Sequence, residues 1–548
     1  MRNFRVRLSA ATVLMLLAAQ VGMAQGKSGQ AGSVAGDIPT IQVTSKLVFL
    51  DVTVVDKRGH PVVTGLTKDD FQITENRAPQ RIFSFEAPDA HALSASGDNA
   101  DGKAPVTILV LDQLNSSFQD FAYIRWEAKR YLQSQPKELR SPTELMVVGN
   151  QTLELVQSYT RDRDELVNAL VHLPTALPYK MMNGAFWTER LGQSFDALVQ
   201  IALQSEGVPG RKNILWVGHG GPGVNTVVLP ASIARAIAQY AHTITNMLVD
   251  ARISLFVMYP GLPVGARVPL MGSAADADAD IGDGDLFATT GDINFGVFVD
   301  ETGGKLFYNR NDVDTEMREA QQMGSEYYTL TYQPHGGDDN GRFRRVRVTL
   351  RNPNLRAVTK IGYYAPDKNA PEDPRMRMMR SIASAARATV PFTALALRVD
   401  GVVRHPDTQT AEITVQMDPK ELQWLPAEGG KSSTNVMMAS ATLTGRRDIL
   451  TSRVQSMTVM ANTQNASLLA EGPPIAVPFT VRLSKKTQSV RVIAETETGG
   501  RIGTAEVNRA RIDAAPAVAT PPPVLQPRVG VTPAATPQTA VPPAPPPQ

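Results

Sequence analysis

The chain has no cysteine among its 548 residues. That excludes disulfides, thiolate zinc sites, a cysteine nucleophile and lipid attachment at an N-terminal cysteine. Charge of one sign is also lacking. Lys and Arg total 55 against 53 Asp and Glu, a net charge of +2, so no basic field exists to gather nucleic acid. Aromatics are sparse, at 6%, and they do not interleave with the basic run "RFRRVRV" as single-stranded nucleic-acid binding requires. The seven histidines form no H-E-x-x-H, and there is no P-loop, dinucleotide fingerprint or G-x-S-x-G elbow. Long apolar runs are missing except near the start. There "ATVLMLLAA" follows Arg2, Arg5 and Arg7 and precedes Gly22 and Ala24. A run this short, followed by small residues, predicts a secretory signal peptide over residues 1–24 rather than a spanning helix. The expected location is therefore secreted, periplasmic or elsewhere in the cell envelope, with no transmembrane segment after cleavage.

What is present divides by texture. Residues 25–37 read as a flexible leader, 38–87 as a small β domain and 88–104 as a Gly/Ala/Asp linker. From Pro105 the pattern changes. "VTILVLD", "NILWVG" and "ISLFVMYP" are nearly continuous apolar strands, as in a parallel sheet covered on both faces, and amphipathic helices separate them. This alternation predicts an α/β domain with a doubly wound, mostly parallel sheet over residues 105–366, its last strands forming a C-terminal extension. Residues 367–388 read as a polar, basic linker and 389–512 as a second β-sandwich-like domain. The Pro/Ala-rich stretch 513–548 cannot build a core and reads as a disordered, extended spacer.

The order of these pieces resembles a von Willebrand factor A (VWFA) domain: "VTILVLDQLNSS", a helix, a strand pair, "NILWVGHG", "ISLFVMYP" and "ETGGKLFYN". The flanking phrases "GLTKDDFQITE" (Gly65 to Glu75) and "YYTLTYQP…GRFRRVRVTLRNPNLRAVTKIGYYAP" (Tyr327 to Pro366) resemble those of exported VWFA-related proteins of the acidobacterial type. The resemblance implies a binding or adhesion module with a protein partner at the cell envelope, not an enzyme.

Such domains often carry a metal-ion-dependent adhesion site built from D-x-S-x-S, a loop threonine and a later aspartate. Mg²⁺ prefers six oxygens in near-octahedral geometry. Here Asp112 and Ser116 match the motif, and they are the metal-ligand candidates. Leu114 stands where a serine belongs, and His219 stands at the third-loop aspartate's place; an imidazole is a poor Mg²⁺ ligand. Thr188 and Ser194 both lie near the expected threonine position. Asn115 and Ser117 supply further oxygens in the same turn. The site therefore reads as degenerate, with Mg²⁺ or another divalent cation as the only cofactor in view. Without metal, Asp112 is expected to cap the turn and the following helix. The candidate ligand-binding set is Asp112, Asn115, Ser116, Ser117, Thr188 and His219.

Two alternatives stand beside this reading: a structural envelope scaffold without metal, and a hydrolase. "GHGGPG" (Gly218 to Gly223) resembles the oxyanion loop of some α/β-hydrolase peptidases, but "GQSFD" lacks the second glycine of a nucleophile elbow. The acidic segment Asp276 to Asp285 lacks the glycine and glutamate of an EF-hand and reads as a solvated loop.

Overall fold

The computed structural model describes residues 47–93, 103–150, 153–174, 180, 186–221, 224–225, 229–260, 292–293, 295–307, 312–334, 340–367 and 373–518. The expected signal peptide and leader, the acidic segment and nearly all of the Pro/Ala-rich tail lie outside these residues.

The chain is mixed α/β, with one mostly parallel six-stranded sheet and several antiparallel ones. The parallel sheet runs in the order Leu306–Phe307, Ile253–Met258, Lys212–Val217, Val106–Asp112, Glu138–Val148, Leu153–Asp162, and only the last pairing is antiparallel. Side chains alternate between its two faces. Ile108, Val110, Ile214, Trp216, Leu255 and Val257 share a core with helices Trp187–Ser205, Ala231–Asp250 and Phe295–Thr302. Leu109, Leu111, Leu215, Val217, Phe256 and Met258 face helices Phe118–Ser134, Arg163–Val171 and Val313–Ser325. Both faces are covered, which is why these strands lack polar alternation. Each such buried side chain contributes roughly 1.5–3 kcal/mol.

Connections leave the strand Val106–Asp112 toward one edge of the sheet. They return through Lys212–Val217 toward the other. The crevice beyond the carboxyl ends of these two neighbours is the topological switch point, where open α/β sheets form their sites. Asp112 ends one strand and Gly218 follows the other.

The described part of the expected 38–87 β domain, residues 47–87, does not close a β unit of its own. Val48–Val55 lies between Tyr328–Tyr332 and Arg356–Val358, and Phe71–Glu75 pairs with Phe343–Leu350. Two four-stranded sheets result, each drawing strands from both sides of the α/β segment, and they enclose one core containing Leu50, Val52, Phe71, Ile73, Leu330 and Val346. The α/β segment is thus inserted into a β unit, and the strands after Tyr327 complete that unit rather than extend the parallel sheet. A buried polar cluster fastens the two halves. Glu75 accepts from Arg344 Nη1 at 2.9 Å, from the Tyr332 hydroxyl at 2.6 Å and from the Tyr363 hydroxyl at 3.0 Å.

The β unit meets the α/β unit through Asp51, which is ion-paired with Arg252 and accepts from the Thr329 hydroxyl at 2.9 Å. Burial opposes ionisation of Asp51, yet Arg252 and Arg211 hold its carboxyl below the ordinary range.

Residues 367–388 are not only a linker. Asp373 caps helix Pro374–Arg387, which buries Met378, Ile382, Ala385 and Ala386. These residues join the core that holds helix Trp187–Ser205 and strand residues Met437, Ala439 and Ile493. The composition misled because Arg375, Arg377, Arg380 and Arg387 all occupy the exposed side. Beyond this helix two antiparallel sheets, of three and five strands, enclose one cluster that includes Ile413, Val415, Met438, Phe479 and Val492. The chain stays ordered past residue 513. Pro516 O accepts from Arg404 N, and Val518 N donates to Arg404 O, both at 2.9 Å. No helix among the described residues is long and apolar enough to cross a membrane.

Candidate functional site

Strand parity places Asp112 on the face of Val110 and Trp216. There it is completely buried. Four donor groups surround its carboxyl. Asn115 N reaches Oδ1 at 2.9 Å, and Asn115 Nδ2 lies 3.1 Å from both oxygens. Trp216 Nε1 and Gly220 N donate to Oδ2 at 3.2 and 2.8 Å. A carboxylate only accepts, and these donors occupy its lone pairs.

The glycine-rich loop is shaped by this arrangement. Gly218 has φ +140°, and a Cβ there would come within 2.4 Å of Asp112 Cβ. Gly220, at φ +72°, would drive a Cβ into the Phe295 ring at 2.4 Å. Both positions need left-handed backbone and open space, which only glycine supplies.

Asn115 relays the site to the helix Trp187–Ser205. Its Nδ2 donates to Ser194 Oγ at 3.0 Å, and its Oδ1 accepts from Arg190 Nε at 3.1 Å. Arg190 and Ser194 are four residues apart, so they share one helix face. Burial lowers the pKa of the Arg190 guanidinium, against the supporting charge of Asp112. A guanidinium so placed remains charged.

The remaining candidates separate. Ser116 is fully buried, and its hydroxyl has no partner among the described residues. Ser117, not Asp112, caps the following helix: its Oγ accepts from Asp120 N at 3.1 Å and donates to Asp120 Oδ2 at 2.6 Å. Asp112 caps only the turn. Thr188 is exposed on the first helical turn, and the hydroxyl that reaches the Asp112 turn is Ser194. His219 is half-buried and stacked on Tyr259 at 5.6 Å, and its Nδ1 is buried without a partner among the described residues.

This set does not fit a divalent cation. The Asp112 oxygens are committed to N–H groups, Leu114 is buried and apolar, and Asn115 Oδ1 serves Arg190. A fixed guanidinium beside the carboxylate would repel a metal ion. Among the described residues no three His, Asp or Glu side chains converge on a common point. Nor does the geometry fit the hydrolase alternative. Gly220 N, which would belong to an oxyanion loop, is spent on Asp112, and Ser194 is buried in mid-helix rather than at an exposed elbow. Sequence reasoning missed Arg190 and Trp216. Neither carries a local motif, and only strand order and helix facing bring them to Asp112.

No protein-family model matches the chain, and no curated protein does. Among solved structures it is similar to the SpRpn10 VWA domain, at 14% identity over 29% of this chain and 76% of that one, with a TM-score of 0.18. It is also similar to the human COPII-coat protein Sec24c, at 7% identity over 52% of this chain, with a TM-score of 0.21; the chain spans 47% of that protein's length.

Proposed function

We propose that the chain is a protein-binding module on a doubly wound, VWFA-like frame, exported to the cell envelope, whose partner surface is the carboxyl edge of the parallel sheet and whose binding needs no metal. The observation that supports this most is the fate of Asp112. At the switch point, where such sheets place their chemistry, the acidic group is consumed by Asn115, Trp216 and Gly220. It is left neither to ligate a cation nor to act as an acid or base. The chemistry has been internalised, while the edge around it, with Thr188 exposed and Arg190 half-buried, still offers a surface. On this reading the chain is not an enzyme.

The test is site-specific photo-crosslinking in the producing cells, with EDTA-washed and Mg²⁺-supplemented samples side by side. A benzophenone side chain at Thr188 is expected to trap one discrete protein under both conditions. The same group at Ala383, exposed on helix Pro374–Arg387, is expected not to trap it. Equal yields from both positions, or trapping only with Mg²⁺, would overturn the reading.

A further inference from the structure

The carboxyl edge holds a cation of its own. Arg190 gives its Nε to Asn115 Oδ1 at 3.1 Å. Its two terminal nitrogens find no acceptor among the described residues. The adjacent acidic side chain does not neutralise it, because Glu189 is held by Lys180 Nζ at 2.7 Å. Asp112 supports it by charge alone and gives it no hydrogen bond, since that carboxyl is already filled by N–H donors. Arg190 therefore keeps one edge of its guanidinium for something else. Both terminal nitrogens lie on one planar fork, which matches the two oxygens of a carboxylate.

Three further features favour an anion here. Arg190 stands in the first turn of a 19-residue helix, whose N-terminal end carries positive potential. In the turn that Arg190 touches through Asn115, the Ser116 hydroxyl is fully buried and has no partner among the described residues. On the glycine-rich loop, His219 Nδ1 is buried and also has no partner among the described residues. Buried polar atoms in native proteins are nearly always satisfied, and these two lie on the two loops that follow the neighbouring strands Val106–Asp112 and Lys212–Val217.

We propose that Arg190 is the receptor for a carboxylate side chain of the protein partner, held bidentately at the switch point without a metal ion. This rests on the protein-binding reading above and specifies its ligand chemistry. An Asp or Glu of the partner docks on the fork of Arg190. Asn115 fixes the guanidinium through its Nε, Asp112 fixes Asn115, and Trp216 and Gly220 fix Asp112. Asn115 and Asp112 are thus positioning residues, and Arg190 is the group that touches the ligand.

The experiment uses the purified full chain and two small probes that differ only in charge, N-acetyl-aspartamide bearing a free β-carboxylate and its neutral asparagine counterpart. Binding is followed by tryptophan fluorescence, to which Trp216 reports, with and without EDTA. The carboxylate probe is expected to saturate with a Kd of about 1–10 mM, as befits one isolated contact, unchanged by EDTA. The asparagine probe is expected to bind at least tenfold more weakly. Arg190→Gln should abolish the difference between the probes. Arg190→Lys, which keeps the charge but loses the fork, should retain only part of it. Equal binding of both probes to the wild-type chain overturns the proposal whatever the variants do, and so does a response that EDTA removes. If the probes fail while crosslinking from Thr188 persists, the carboxylate assignment falls and the binding-module reading stands. If both fail, both fall.

Discussion

Two buried carboxyl groups in this molecule face opposite circumstances. Asp112, at the switch point of the parallel sheet, is ringed by four N–H donors. Glu495, on a strand of the C-terminal five-stranded sheet, is equally buried, yet neither of its oxygens has a partner. Burial raises the Glu495 pKa to about 8, the nearby Glu206 adds to the rise, and Arg377 opposes it. Depth of burial alone thus says little about a carboxyl group. The donors around it decide how its oxygens are used, and without them Glu495 keeps its proton.

The contrast can be broken most severely at Asp112. Asp112→Ala leaves the Trp216 indole N–H and two backbone N–H groups buried without acceptors. The expected loss is about 3–5 kcal/mol of unfolding free energy, read from the urea midpoint, with the same value in EDTA and in Mg²⁺. A loss that appears only with Mg²⁺ would mean that Asp112 ligates metal after all.

Glu495 sharpens the comparison from the other side. The unfolded chain releases this proton near the ordinary carboxyl range, whereas the folded chain keeps it up to about 8. The folded state therefore binds the extra proton between those limits, and stability falls as pH rises through that window. Glu144 acts in the same direction, its pKa raised by burial to about 8. Glu495→Gln is expected to flatten part of this decline in unfolding free energy between pH 5 and pH 8, by at most about 1.4 kcal/mol per pH unit. An unchanged slope would show that Glu495 is ionised throughout.

The smallest effect separates the turn from the helix that follows. Ser117→Ala removes the cap over Asp120 N and is expected to cost about 1 kcal/mol while leaving the Asp112 network intact. A loss as large as that of Asp112→Ala would show that turn and cap are one unit.

Much of the parallel sheet was legible in the residues. Apolar runs such as "ILVL" and "ISLFV" carry no polar alternation, because both faces of their strands are covered, and the place of Asp112 at a strand tip follows from where such a run stops. Ser117 was legible only as a hydroxyl near a helix start. Arg190 was silent. It is one arginine in an amphipathic helix, and nothing local distinguishes it from Arg125 or Arg318. Its role depends on which strand tip the helix crosses, which is a matter of topology. The β unit was misjudged for the same reason: Phe71–Glu75 and Phe343–Leu350 each look like ordinary strands, and their pairing spans the whole α/β segment. Helix Pro374–Arg387 was underrated because its arginines dominate the composition while its small buried residues do the packing.

The insertion of the α/β segment into the β unit has a consequence for biogenesis. Chains emerge N-terminus first, so Val48–Val55 and Phe71–Glu75 are made long before their partners Tyr328–Tyr332 and Phe343–Leu350 exist. The intervening α/β segment holds one core made wholly of its own residues and most of another, and it can collapse in that interval. By folding it draws its two ends together, since the strands it separates are neighbours in the finished sheets. That replaces closure of a long flexible loop with closure of a short gap. Until then the early strands present open edges, which are liable to pair with one another.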